Sequence, residues 1–263
     1  MFNPVLFLVV ALGLGSVVAE NERLAHLNIV TDQPSYDSVG LNNPMMESNG
    51  EKLVLSTLLE GDVVFDVGAN IGDWSMAVLS DHPKIALYAF EPIPELSAIV
   101  KQRLGDRVAN YLFSLSDRLG TASFAYYPSC AAFSTLHRRY EVEKAHGMAP
   151  LLLTVPLETL DHFTSEHKIP RINFLKIDTE GNERNVLLGA KKLLEKKAVD
   201  IIQFEYGGTY LDSKTTLHQV YNYLQRHGYT IYRIASFGLI EIPRWRQALE
   251  NYAYSNYLAV KKP

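Results

Sequence analysis

Three carboxylates crowd into Ile177-Asp178-Thr179-Glu180-Gly181-Asn182-Glu183, directly after an apolar run that contains one lysine, Lys176. Acids this close raise one another's pKa and can leave one able to take a proton from a substrate hydroxyl. Helix capping is the plainer reading, with Asp178 or Thr179 as the cap and Glu180 and Glu183 in a favourable first turn. A lysine inside an apolar strand and three acids at one sheet edge exceed what capping requires. Asp178 and Glu180 are therefore candidate bases, and Glu205, at the end of the next apolar run, is an alternative or an orienting partner.

A second constellation lies upstream, in Asp66-Val67-Gly68-Ala69-Asn70-Ile71-Gly72-Asp73. Gly68 and Gly72 let a strand-to-helix turn curl tightly and let a ligand approach with no β-carbon in the way. Asn70 stands where a dinucleotide fingerprint would need glycine, so a pyrophosphate is a poor fit. A ligand with a free amino-acid end fits better, because Asp66 can accept from its ammonium and the following helix can receive its carboxylate. Glu91, twenty-three positions after Gly68 in Phe90-Glu91-Pro92, can accept from both hydroxyls of a ribose. Its alternative is an exposed carboxylate before a helix that begins near Pro92. Ser116 and Asp117 follow the third strand, where Asp117 can accept from the amino group of an adenine, although a plain Ser-Asp turn explains them almost as well.

The elements that position these residues alternate. Apolar runs at 63–67, 85–90, 109–115, 172–177, 201–205, 229–234 and 257–260 read as strands, and amphipathic patterns at 73–80, 96–104, 183–197 and 217–224 read as helices. Lys191, Lys192, Lys196 and Lys197 fall in the last turns of the third helix, where they complement its dipole. Such alternation implies a mainly parallel, doubly wound α/β sheet, whose ligands bind at the carboxyl ends of the strands. Residues 120–156 break the rhythm and read as an insertion beside the acceptor pocket. There Tyr126 and Tyr127 can stack on a sugar, and His137, Arg138 or Arg139 can hold an anionic group. A surface hairpin with core aromatics and a basic edge is an equal alternative.

A chain of 263 residues, 47% of them hydrophobic, can bury one large domain. A net charge of -4 gives no basic surplus for nucleic acid. The single cysteine, Cys130, offers neither a disulfide nor a metal cluster, and the histidines lack metal-ligand spacing, so no metal is expected. Residues 5–19 form an uncharged apolar run ending with Val17 and Ala19, the small-residue spacing of a signal-peptidase site, and are shorter than the roughly 20 residues of a comfortable span. The expectation is a signal peptide or short anchor over 1–19, with a secretory or membrane-associated location and a cytoplasmic one as the alternative. A polar extension at 20–50, wrapped on the surface, then leads to a catalytic domain at 51–263.

Val64-Phe65-Asp66-Val67-Gly68-Ala69-Asn70-Ile71-Gly72, Phe90-Glu91-Pro92, Leu175-Lys176-Ile177-Asp178-Thr179-Glu180-Gly181-Asn182-Glu183 with Gly189-Ala190, and Phe204-Glu205 resemble, in order and spacing, the signatures of FkbM-type methyltransferases. The resemblance is strong from about Glu51 to Glu205 and loose beyond. It implies a Rossmann-like class I methyltransferase fold, with a seven-stranded, mostly parallel sheet and an antiparallel last strand. It also implies S-adenosylmethionine held by Asp66, Gly68, Asn70, Gly72, Glu91, Ser116 and Asp117, and O-methylation of a small-molecule or glycan acceptor, often a sugar or polyketide-like product. A secreted or tethered binding module that has lost turnover is the rival reading, and a nicotinamide-dependent oxidoreductase is disfavoured by Asn70.

Overall fold

The computed structural model describes residues 22–31 and 42–262, so the leader expected at 1–19 lies outside the described residues. The main sheet is built on short, β-branched and aromatic runs buried on both faces: β2 (Val63–Val67), β3 (Ala86–Phe90), β8 (Ile172–Ile177) and β9 (Val199–Tyr206). Together with β4 (Val108–Tyr111) they run parallel in the order β9-β8-β2-β3-β4. The chain leaves β2 for β3 on one side and returns to β8 on the other, which opens a crevice at their carboxyl ends. β12 (Ser255–Lys261) lies antiparallel to both β9 and β10 (Tyr229–Ala235), which gives the expected antiparallel last strand.

The sheet has nine strands, not seven. β11 (Gly238–Glu241) folds back on β10, and β1 (Ile29–Val30) adds beyond it. Gly238, at φ 143°, admits the carbonyl of Asn28 to a point where a β-carbon would lie 2.2 Å away. The expected surface wrap at 20–50 is therefore partly structural. Leu24 is buried, and the Arg23 guanidinium grips Asp62 just before β2. Among the described residues no helix is long and apolar enough to cross a membrane.

Alternate residues of the strands feed two cores. Phe65, Val67, Leu175 and Ile177 pack on one face, and Val64 and Phe174 pack on the other with Trp74 and Val78 of the helix Asp73–Asp81. Asp66 and Lys176 share the second parity, so both side chains turn towards that helix.

Two expected elements are broken. The strand predicted over 109–115 ends at Tyr111, and the chain restarts as β5 (Ser114–Leu115) in a separate three-stranded sheet with β7 (Leu151–Glu158) and β6 (Gly120–Tyr126). The segment 120–156 thus carries most of this small sheet. Phe124, Tyr126, Val155 and Leu157 close it over Ile93 and Leu96. The helix predicted over 183–197 divides into Glu183–Leu188 and Lys191–Glu195. Gly189 sits against the Ser116 carbonyl, where a β-carbon would be 2.0 Å from the oxygen, and its own carbonyl accepts from the Asp161 amide. Lys191 and Lys192 consequently open a helix, where the dipole disfavours them. The Asp161 carboxylate offsets this by accepting from the amides of Lys192 and Leu193.

Candidate active site

A cavity of about 550 Å³ opens where β2, β3, β8 and β9 end. Its floor is the turn after β2. Gly68 (φ 84°) and Asn70 (φ 50°) are left-handed, a conformation that glycine adopts freely and asparagine tolerates. Gly68 and Asn70 both line the cavity. Gly68 has a further duty that its spacing did not disclose: a β-carbon there would lie 1.8 Å from the Asp178 carbonyl. The glycine lets the ends of β2 and β8 close together, and the Asp178 amide donates to Val67 O at 2.9 Å.

Glu91 lines the cavity from the end of β3 and is buried. Its two oxygens accept from the amides of Asn70 (2.8 Å) and Ile93 (3.0 Å), which fixes the carboxylate beside the turn. Burial raises its pKa to about 7, against the pull of those two amides. Each oxygen retains a lone pair for a ligand hydroxyl. Phe90, Ile93, Leu96 and Leu115 form an apolar wall beside it.

The opposite wall is acidic. Asp178, Glu180 and Glu205 all face the cavity, and their oxygens come within 4.8 Å of one another. Glu180 (φ 53°) and Gly181 (φ 102°) form a strained turn that would not persist unsupported. Glu183 supports it, since its Oε1 accepts from the Thr179 amide, the Thr179 hydroxyl and the Gly181 amide. Below the wall, buried Lys176 places Nζ 3.0 Å from Asp178 and 3.4 Å from Asp66. Burial would lower the Lys176 pKa, but the two aspartates outweigh it and the net shift is upward.

Burial, then the charge of Asp178, raises Glu180 to about 8, with Arg139 opposing. Glu205 is raised well above the carboxylate range, by burial first and then by Asp178 and Glu180. Burial and the neighbouring acids thus favour the protonated form of Glu205, which shares a hydrogen bond with Asp178. This spacing suits a divalent cation, yet Lys176 already pairs with Asp178 and Arg139 with Glu180 at 3.3 Å.

Seven of the residues expected at the ligand fall elsewhere. Asp66 is wholly buried beneath the turn, where its carboxylate accepts from Ser75 Oγ at 2.7 Å and faces Lys176, and it does not line the cavity. Gly72 starts the helix Asp73–Asp81 and packs on Val100 and Leu104. Ser114 and Leu115 line the cavity in place of Ser116 and Asp117. The Ser116 amide is taken by Glu158 O, and Asp117 pairs with Arg118. Tyr126 lies in the small sheet's core. His137 turns to Asn182 Oδ1 at 3.4 Å and is lowered in pKa by burial. Arg138 points outward, donating to both oxygens of Glu143.

Its neighbour Arg139 enters the cavity instead, stacked on Phe133 at 4.9 Å and reaching Glu180 and Asp212. Adjacent side chains at the start of the helix Tyr140–His146 point apart, and nothing in the pair Arg138-Arg139 tells which one turns inward. Tyr252 and Tyr254 also line the cavity. Their i, i+2 spacing before a strand was the available signal. Tyr252 is left-handed (φ 55°), and its amide donates to the hydroxyl of buried Tyr206 at 2.6 Å.

Residues 66–231 match the model of the methyltransferase FkbM domain family. The 31-O-demethyl-FK506 methyltransferase FkbM of Streptomyces tacrolimicus is 29% identical over 199 residues, covering 66% of this chain and 75% of that protein. The 2-O-methyltransferase NoeI of Sinorhizobium fredii is 26% identical over 170 residues, covering 60% and 69%. The crystal structure of a methyltransferase FkbM from Methylobacillus flagellatus KT superposes with a TM-score of 0.51 at 12% identity, which speaks for the fold alone. That match takes in 83% of this chain, which spans about half (48%) of the larger molecule.

Proposed function

The chain belongs to the FkbM methyltransferase family, and on that premise we propose that it transfers the methyl group of S-adenosylmethionine to a hydroxyl of a sugar or small natural product. The observation that carries this reading is the pairing, across one cavity, of a bare left-handed turn and Glu91 on one side with the Asp178–Glu180–Glu205 wall on the other. The cofactor fits these residues. Glu91, which lines the cavity, can accept from the ribose hydroxyls, Gly68 and Asn70 line it at the turn, and the apolar wall suits an adenine.

When bound, S-adenosylmethionine supplies an electrophilic methyl group on a sulfonium. The protein's own task is to orient the acceptor oxygen, exclude water and take up the hydroxyl proton. Glu180 is assigned the proton, because its pKa of about 8 matches a base working near neutrality. Asp178, held by Lys176, orients Glu205 through the hydrogen bond the two share. Tyr252 and Tyr254 offer ring faces to the acceptor, and Arg139 keeps Glu180 in place.

Calorimetric titration with S-adenosylmethionine and S-adenosylhomocysteine tests the cofactor. Glu91→Ala should weaken both about ten- to hundredfold, the range for loss of hydrogen bonds to a charged group. Absence of binding to either ligand by the unaltered protein would sink the reading. Methyl transfer to a panel of sugar and polyol hydroxyls tests the base: full turnover by both Asp178→Asn and Glu180→Gln would remove the assignment.

A further inference from the structure

Lys176 is the one charged side chain in its strand, and it touches the wall of the cavity only through another residue. Its ammonium lies 3.4 Å from Asp66, 3.0 Å from Asp178 and 5.7 Å from the centre of the Trp74 ring. The charged groups that act on it are Asp66 on β2, Glu51 on the helix Glu51–Leu55, and Asp178 and Glu180 beyond its own strand. Around those acids stand Glu205 on β9, Glu183, Tyr254 before β12, and Arg139 on the far side of Glu180. Ser75 takes the other oxygen of Asp66, so Asp66 is held rigidly beneath the ammonium.

We propose that Lys176 is a positioning residue for the reading above: wedged between Asp66 and Asp178, it fixes Asp178 at the cavity wall and sets how much negative charge that wall shows to a sulfonium. The inference rests on that reading. Its physical content is that Asp66 and Lys176 form a buried charge pair below the wall, and that each member biases the wall in the opposite sense. Removing the cation raises the affinity of the coupled acids for protons, so the wall loses charge at a given pH. Removing the Asp66 charge leaves Lys176 wholly to Asp178 and lowers that affinity.

The measurement is the ratio of dissociation constants for S-adenosylhomocysteine and S-adenosylmethionine, taken by calorimetry from pH 6 to pH 9.5. The two ligands differ at sulfur by a methyl group and a positive charge, so the ratio reads charge on the wall and cancels effects at the ribose. In the unaltered protein the ratio rises with pH as Glu180 ionises. Lys176→Met should move the midpoint of that rise upward by roughly one pH unit, and Asp66→Asn should move it downward by a similar amount. Lys176 acting only as structure would lower the melting temperature and leave the midpoint where it was. If Lys176→Met does not fold, Asp66→Asn carries the test alone. A midpoint that Asp66→Asn leaves unmoved overturns the inference while the cofactor reading stands. Failure of both ligands to bind the unaltered protein overturns the two together.

Discussion

The carbonyl oxygen of Asp178 occupies the space in which a β-carbon on Gly68 would sit, at 1.8 Å from its ideal position. One contact thus joins the glycine turn to the acidic wall. It makes the glycine a requirement of packing between β2 and β8, in addition to the part proposed for it in cofactor binding. Gly68→Ala must both adopt a left-handed backbone at φ 84° and push the end of β8 away. Each effect costs about 1–3 kcal/mol. The expected outcome is a melting temperature lowered by at least about 5 °C, with S-adenosylmethionine binding lost in the same variant. A fully stable Gly68→Ala protein would show that the two strand ends are not held together this closely.

How much of this was legible beforehand depended on where each side chain's information resides. The strands at 63–67 and 172–177 were readable because burial on both faces leaves an apolar run, and the acids of 178–183 were readable because they interrupt one. The direction of Asp66 was not. It shares parity with Val64, but which face of the sheet the helix Asp73–Asp81 covers is decided by the whole topology. The break at Gly189 was equally hidden, because the glycine is explained by the Ser116 carbonyl, a neighbour seventy-three positions away in the chain. Tyr126 was misplaced for a similar reason: the small sheet turns it onto Ile93 and Leu96, and the tyrosines that line the cavity are Tyr252 and Tyr254.

Stability of the ligand-free protein should fall as pH rises. Glu91 and Glu183 are raised to about 7 and Glu180 to about 8, in each case chiefly by burial, from an ordinary value of 4.5. An acid whose folded pKa exceeds its unfolded one favours folding fully below the unfolded value and loses that contribution as pH climbs through the folded value. The loss therefore runs from about pH 4.5 to about pH 8. Melting curves at pH 6 and pH 8.5 should differ by more than about 3 °C, the shift that roughly 1 kcal/mol produces in a domain of this size. S-adenosylmethionine should narrow the gap by placing a cation beside the ionised wall. A melting temperature that is flat or rises over this range would contradict the burial of these carboxyls.

Chelation should leave the protein unaltered. Although Asp178, Glu180 and Glu205 come within 4.8 Å of one another, Lys176 and Arg139 already pair with two of them, and burial raises the pKa of Glu205 and disfavours the anion that a cation needs. Magnesium or calcium would have to displace a buried ammonium or a stacked guanidinium to gain anionic oxygens. Dialysis against EDTA should change S-adenosylmethionine affinity by less than about twofold, and added manganese should show no bound signal by electron paramagnetic resonance. A tightly held manganese, or a clear loss of cofactor affinity after dialysis, would mean that the cluster opens to admit a cation.

Arg138 and Arg139 are adjacent in sequence and should respond oppositely to truncation. Arg138 is exposed, and its bidentate partner Glu143 lies outside the cavity and keeps its bond from the Tyr127 hydroxyl, so Arg138→Ala should leave cofactor binding within error and lower the melting temperature by no more than about 2 °C. Arg139 is largely enclosed, stacked on Phe133 and directed at Glu180 and Asp212. Its loss leaves two half-buried carboxyls facing one another without a cation, a cost of about 1–3 kcal/mol and a fall of several degrees in melting temperature. The charge of Arg139 also holds the Glu180 pKa down, so in Arg139→Ala the pH at which Glu180 ionises should rise above about 8. Methyl transfer would then require more alkaline conditions than in the unaltered protein. Should Arg138→Ala prove the damaging change and Arg139→Ala the silent one, the helix Tyr140–His146 must enter the cavity by its other face, and the acidic wall would lack the partner assigned to it.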